Sequence, residues 1–389
     1  MAFHYSEHEP DKRAALLAAV ETIRPVLAAE VQASENGRTL SPTAVAALRE
    51  AGMFALKVPR ELGGIEADFI TQMDVYEALA HIDGAIGWTA FIGCGATTMT
   101  AYIPEIGIER MWAGGRIPTA AVVVMPGQAL RVDGGYRING RWSWASGIRH
   151  AEWVGMHVLV NNTGGAPDSR LAFLPIASVE LHDNWHVAGL KGTGSCDFSV
   201  HDCFVPDELT FDLRALVPLR GGPMYRVGLP GLVAHELGGF ALGVATRALD
   251  EIRGQAINKQ RGYTTRTTLA DRGVFRRMLG ESDLRLRAAR ALLVQVYERA
   301  WAAACAGAPI DVVQQIDMRG AVAFTVHTAV DVAQQAFRYG GGTALHLDNP
   351  LQRCVRDLDG ASVHLFSTDA IYEELGRKLL GASDLNPMV

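Results

Sequence analysis

Asn139-Gly-Arg-Trp-Ser-Trp-Ala-Ser-Gly147 is the stretch on which the reading of the whole chain turns. About forty residues later comes Asp183-Asn-Trp-His-Val-Ala-Gly-Leu-Lys-Gly-Thr-Gly-Ser195. The two β-type segments carry three tryptophans, several hydroxyls and a run of glycines, in a chain otherwise patterned for helices. A sheet island of this kind suits a flat ligand.

Working outward, the neighbouring sequence is also strand-like. Ala120–Val124 is a short β-branched run, and Asp133-Gly-Gly135 is a hairpin signal between Leu130–Val132 and Tyr136–Ile138. Trp153–Val160 and Asp197–Phe204 alternate, Arg170–Pro175 is apolar, and Val205-Pro206 is expected to break the pattern. Residues 116–212 therefore read as a small, mainly antiparallel β domain.

On either side the period is helical. Apolar residues recur at three- and four-residue spacing from Ala14 to Val31. Ser41-Pro42 opens a second helix and Gly52 closes it. Val58-Pro-Arg-Glu-Leu-Gly-Gly64 is a turn-rich connector, with further helices over Asp68–His81 and Ala85 to about Tyr102. Residues 1–115 form an N-terminal helical domain. From 213 to 389 four long segments, Leu232–Ile257, Ala270–Ala306, Ile310–Tyr339 and Pro350–Leu380, predict a C-terminal four-helix bundle. The fold class is mainly α with a central β domain.

Composition limits the function. The chain has 389 residues and a net charge of −6, with no basic field to attract nucleic acid. Its five cysteines contain no CxxC pair, and the polar N-terminus is no signal peptide; both point to a cytoplasmic protein. Val227–Leu249 contains His235, Glu236 and Arg247, so it reads as a buried helix and no membrane partner is expected. His150, His182, His186 and His201 lack metal-ligand spacing, and no metal site is expected.

The order helix, sheet, bundle and the residues in it resemble the acyl-CoA dehydrogenase superfamily over nearly the whole chain. Val58-Pro-Arg-Glu-Leu-Gly-Gly64 is similar to its VP-x-E-x-GG connector, Asn139-Gly140 with Trp144 and Ser146 to its flavin strand, and Arg353-x-x-Arg356-Asp357 to its R-x-x-RD motif. In common dehydrogenases of this superfamily a glutamate eight residues after that aspartate removes the α-proton. Here Leu365 fills the position, and leucine cannot accept a proton. Some relatives carry the base on the first bundle helix, where Glu236 and Glu251 lie, but Val233 aligns with the expected place.

A second branch, the class D two-component flavin-dependent monooxygenases, is the closer resemblance. Trp185-His-Val-Ala-Gly-Leu-Lys-Gly-Thr-Gly-Ser195 resembles its W-H-V-x-G-L-x-G-T-G-S segment, and Gly140–Gly147 its G-x-W-x-F-x-S-G, with Trp144 for the phenylalanine. Arg356-Asp357 followed by His364 resembles RD-x6-H, and Tyr339–Leu345 its glycine-rich loop. The resemblance implies reduced FMN or FAD supplied by a separate NAD(P)H flavin reductase. It also implies O2, an aromatic or polycyclic small-molecule substrate, a C4a-hydroperoxide intermediate and a homotetramer. Two other readings stay open: an FAD-dependent acyl-CoA dehydrogenase and a degenerate flavin-binding scaffold.

Residue by residue, Ser146 is the hydroxyl expected near flavin N5, and His364 the candidate base or holder of a substrate hydroxyl. Trp144 is expected to stack on the isoalloxazine, and lying two residues from Trp142 on a strand it should share that residue's face. Gly147 and the run Gly192, Thr193, Gly194 and Ser195 suit a close backbone approach to ligand. Gly340, Gly341 and Gly342 suit phosphate oxygens, and Lys259, Arg261 and Arg266 are the candidate phosphate cations. A further active-site histidine, found in several phenol hydroxylases of this branch, is absent from Phe91–Thr98 and Pro118–Met125.

Overall fold

The computed structural model describes residue 3 and residues 5–112, 120–160, 168–261 and 267–389. By internal contacts the chain forms two compact units. One comprises Met1–Asp68, Thr89–Val187 and Lys191–Gly228; the other comprises Phe69–Trp88, Ala188–Leu190 and Leu229–Val389.

The first unit begins with α1 (Glu9–Gly37) and α2 (Pro42–Glu50). Ser41 caps α2 as its sequence predicts, its hydroxyl accepting from Ala44 N at 3.1 Å, and Gly52 ends the turn beyond it at φ 77°. The connector that follows is tight at Gly64, where a Cβ would lie 2.1 Å from Val58 O. Helices α3 (Phe69–Ile82), α4 (Gly84–Thr98) and α5 (Glu105–Trp112) complete the N-terminal stretch, α3 belonging to the second unit and α4 running from the second unit into the first.

Seven strands follow: β1 (Ala120–Val132), β2 (Gly135–Ala145), β3 (Trp153–Val160), β4 (Asp168–Pro175), β5 (Glu180–His182), β6 (Cys196–Pro206) and β7 (Thr210–Asp212). They form one sheet in the order β5-β6-β2-β1-β3-β4-β7, antiparallel except for β1 with β3. The hairpin at Asp133-Gly134 pairs Val132 with Gly135, as expected. The strand stops at Val205-Pro206, as expected, both residues being its last. Pro206 ends β6 opposite Gly135, a strand-end position where a missing N–H costs little.

In the second unit α6 (Gly231–Asn258), α7 (Gly273–Cys305) and α8 (Val312–Gly340) are long helices, and β8 (Gln260–Arg261) pairs with β9 (Thr267–Thr268). The small residues of α6 serve close approach to α3. A Cβ on Gly239 would lie 2.6 Å from Met73 O, and one on Gly243 2.2 Å from Glu77 O. The fourth long segment is not continuous as predicted. It divides into α9 (Pro350–Ser362) and α10 (Ala370–Leu379), with a 3₁₀ turn at Leu365–Ser367. The break contains no proline or glycine; Ser367 Oγ holds it, 2.8 Å from the carbonyl oxygens of both Ala361 and His364. Among the described residues no helix is long and apolar enough to cross a membrane.

Candidate functional site

In the first unit, three hydroxyls form a chain. Ser146 Oγ is 2.7 Å from Ser195 Oγ, which is 2.6 Å from Thr193 Oγ1, and all three side chains are buried. The backbone supports the same pairing: Gly147, in the left-handed region, donates from its amide to Thr193 O at 2.8 Å. Gly194 at φ 57° sits against Thr39, where a Cβ would be 3.0 Å from its hydroxyl. The sequence-predicted residues Ser146, Gly147, Gly192, Thr193, Gly194 and Ser195 are therefore gathered along one seam.

Trp142 and Trp144 do not share a face, contrary to expectation. Between Trp142↔Phe198 and Ala145↔Cys196 the strand β2 carries one residue more than β6, a β-bulge, and Trp144 takes φ 66°. Trp142 is fully buried, stacks on Phe198 at 5.1 Å and donates from Nε1 to His157 O at 2.9 Å. The glycine of Asn139-Gly140 makes room for it, since a Cβ there would lie 2.8 Å from the indole. Trp144 is turned out, with 59% of its surface exposed. An indole held outward in a strained backbone next to Ser146 is a ready wall for a flat ring.

A brace of charges holds these segments. Asp183 accepts from Arg38 at 2.7 Å and also pairs with Arg149. These contacts, the Arg38 hydrogen bond above all, hold its carboxyl down to about 2. Four residues beyond Ser146, His150 has both ring nitrogens buried with no hydrogen-bond partner among the described residues. Burial, then the charge of Arg49, push its pKa down to about 4. In the sequence His150 stands out only as one of the histidines without metal-ligand spacing, and spacing does not reveal its burial.

In the second unit, His364 is not a helix-interior residue. It caps the turn Leu365–Ser367, its Nδ1 accepting from Phe366 N at 3.3 Å, and its ring meets Trp88 edge-to-face at 5.6 Å. Burial, then Arg319, lower its pKa to about 4. The ring is thus neutral at pH 7, and because Nδ1 accepts, its proton is on Nε2. Nε2–H has no partner among the described residues, so His364 offers a hydrogen-bond donor.

Leu365 puts no carboxylate beside it. Of the other candidate bases, both on α6, Glu236 is 2% exposed and Glu251 half-buried; burial first, and the charge of Glu236 after it, raise the Tyr297 hydroxyl. Arg356-Asp357 has a holding role: Asp357 accepts from Leu190 N at 2.6 Å and Arg356 donates to Ala188 O. Gly189 fits only as glycine there, since a Cβ would lie 1.9 Å from Arg356 O.

Lys259 and the glycine loop come together. Lys259 Nζ donates to Gly340 O and, at 3.1 Å, to Thr343 Oγ1. Gly341 has φ 59° and Gly342 is exposed with open space around its Cα. Arg261 lies on β8, and Arg266 falls outside the described residues.

Two family models match the chain: the N-terminal domain of acyl-CoA dehydrogenase over residues 10–111 and its C-terminal domain over residues 236–368. The indole-3-acetate monooxygenase of Pseudomonas putida is 31% identical over 352 residues, covering 90% of each chain. The flavin-dependent monooxygenase oxygenase subunit HsaA of Mycobacterium tuberculosis is 27% identical, over 90% of this chain and 91% of its own. Its crystal structure superposes with a TM-score of 0.89 at 25% identity, over 97% of this chain and all of that one. XiaF from Streptomyces, solved with FADH2 and glycerol, has the same fold at a TM-score of 0.90 and 23% identity, covering 97% of this chain and 98% of its own.

Proposed function

The chain belongs to the acyl-CoA dehydrogenase family, and within it we propose the oxygenase component of a two-component flavin-dependent monooxygenase. It takes reduced FMN or FAD from a separate NAD(P)H flavin reductase and transfers one atom of O2 to an aromatic or polycyclic small molecule. The observation that carries this reading is the turn at His364-Leu365: a leucine stands where the dehydrogenase chemistry needs a carboxylate, and a neutral imidazole precedes it. The names of the relatives, a monooxygenase and an oxygenase subunit, support it.

The residues present fit a flavin. The outward indole of Trp144 supplies a flat apolar surface, and Ser146 supplies a hydroxyl for the polar edge of the ring system. Lys259 supplies a cation for phosphate, and the loop Gly340–Gly342 supplies backbone that is open at Gly342. When bound and reduced, flavin supplies the two electrons that activate oxygen. The chain's own part is to orient and to exchange protons. Ser195 lets the Ser146 hydroxyl act as donor or acceptor, because each member of the chain can reverse its direction. His364 directs Nε2–H at an oxygen atom of substrate or oxidant, which favours holding a hydroxyl over removing its proton.

The same proposal takes the working form as a homotetramer in the cytoplasm, with the chain divided at 1–115, 116–212 and 213–389. Exposed Leu345, Leu347, Leu379 and Leu380 support self-association, and sedimentation tests it. The deciding experiment mixes the reduced-flavin complex with oxygen in a stopped flow. A transient absorbance unlike reduced or oxidised flavin is expected. Its absence, with bleaching of the oxidised flavin by an acyl-CoA, would establish the dehydrogenase instead; no flavin binding in either redox state would establish the scaffold.

A further inference from the structure

Arg319, on α8, is a completely buried cation without a carboxylate. Its guanidinium is 0% exposed, and among the described residues no acidic group lies within ion-pair distance. Its partners are neutral: Nη1 donates to Pro387 O at 2.8 Å, and Nη2 to Leu365 O at 2.7 Å and Thr368 Oγ1 at 2.9 Å. Desolvating a charge for neutral acceptors is unfavourable, so packing alone gives no reason for an arginine here. What the fork does is join two segments, the turn behind His364 and the end of the chain. The tail is itself fastened: Asn386 N donates to Glu374 at 2.8 Å, Arg377 grips Asp384 at 2.6 Å, and Leu385 packs on Ile316, Ala323 and Ile371.

We propose that Arg319 is a positioning residue for His364, clamping the turn that carries the imidazole to the C-terminal tail. Leu365, whose carbonyl it holds, is the next residue after His364, and Phe366, whose amide fixes Nδ1, follows directly. Without the clamp the Phe366 amide leaves Nδ1, and the imidazole loses the single orientation and tautomer that present Nε2–H. The tail thereby becomes part of the machinery for the reaction.

The inference rests on the role given to His364 above, and its test reads the ring without any turnover. Protein labelled with 15N-histidine is compared as wild type, Arg319→Gln and a chain shortened after Asp384, with His364→Gln assigning the signal. Wild type is expected to show one Nε2-protonated tautomer at pH 7, with the two ring nitrogens well separated. In Arg319→Gln and in the shortened chain the two shifts converge as tautomers mix. Val312→Ala, which trims the same apolar cluster without touching the clamp, keeps the wild-type pattern. An unchanged pattern in the folded Arg319→Gln or the shortened chain overturns the inference, as does an equal loss in Val312→Ala. If Arg319→Gln does not fold, the shortened chain decides alone. Failure of the stopped-flow experiment removes the monooxygenase reading and leaves this ring measurement standing.

Discussion

Ser146 and Ser195, forty-nine residues apart in sequence, share a hydrogen bond of 2.7 Å, and Thr193 extends it at 2.6 Å. The bridging hydroxyl is Ser195, so it and Ser146 should fail differently. Ser195→Ala withdraws a partner from two buried hydroxyls and is expected to cost about 1–3 kcal/mol of stability. Ser146→Ala is expected to bind flavin within a few-fold of wild type while releasing more of its oxygen as hydrogen peroxide. Denaturant unfolding and a peroxide assay beside product formation separate the two effects.

The two tryptophans of β2 make a sharper pair. Trp142 is enclosed, stacked and hydrogen-bonded, so Trp142→Ala should lose about 3–5 kcal/mol. Trp144 touches little of its own chain and holds φ 66°. Trp144→Gly relieves that backbone and should leave stability equal or higher, yet weaken flavin about ten-fold or more, roughly 1.4 kcal/mol. Equal flavin affinity in Trp144→Gly would remove the indole from the site.

His364 distinguishes donor from base. With Nδ1 already accepting from Phe366, the proposed role falls to Nε2–H, which a glutamine amide imitates and alanine does not. His364→Gln should therefore keep a measurable part of product formation, with His364→Ala lower by about ten-fold or more. A base would be lost equally in both variants.

Both His150 and His364 are held near a pKa of about 4 by burial, below the ordinary histidine value of about 6.5. Between those values the unfolded chain binds more protons than the native one, so stability is full above about pH 6.5 and declines as pH falls toward 4. The loss is of the order of 3 kcal/mol at most for each group. Urea midpoints across that window should drop, and His364→Gln should flatten part of the slope.

The order of helices and strands is legible in the sequence because its signals are local: caps at Ser41, periodicity in α1 and α6, and a hairpin at Asp133-Gly134. What is not legible depends on partners far away in the chain. The bulge that turns Trp144 outward arises from pairing with β6, and alternation along β2 alone predicts the opposite. The break at His364 has no proline or glycine to announce it; the carbonyl of Leu365 within it is gripped by a buried guanidinium forty-six residues earlier. The hydroxyls of Ser146 and Thr193–Ser195 could be placed at a flavin by resemblance, but their joining through one hydrogen-bonded chain required the folded sheet. For α3 a signal existed: Gly239 and Gly243, four residues apart on one face of α6, mark a close helix neighbour.

The glycine loop after α8 holds a contrast that tests its proposed phosphate role. A methyl group at Gly340 would meet Ala344 at 2.7 Å and Leu351 at 2.8 Å, whereas at Gly342 it would meet nothing within 4 Å. Gly340→Ala should therefore destabilise the protein by about 1–3 kcal/mol through overpacking. Gly342→Ala should leave thermal unfolding unchanged, because no neighbour has to move. If the loop's backbone approaches phosphate oxygens, the same harmless methyl weakens flavin, and Lys259→Met, which removes the cation bonded to Gly340 O, weakens it further. Riboflavin, which has no phosphate, supplies the control: its affinity should not distinguish Gly342→Ala from wild type. If Gly342→Ala and Lys259→Met bind FMN and FAD as wild type does, the loop is only a connection between helices.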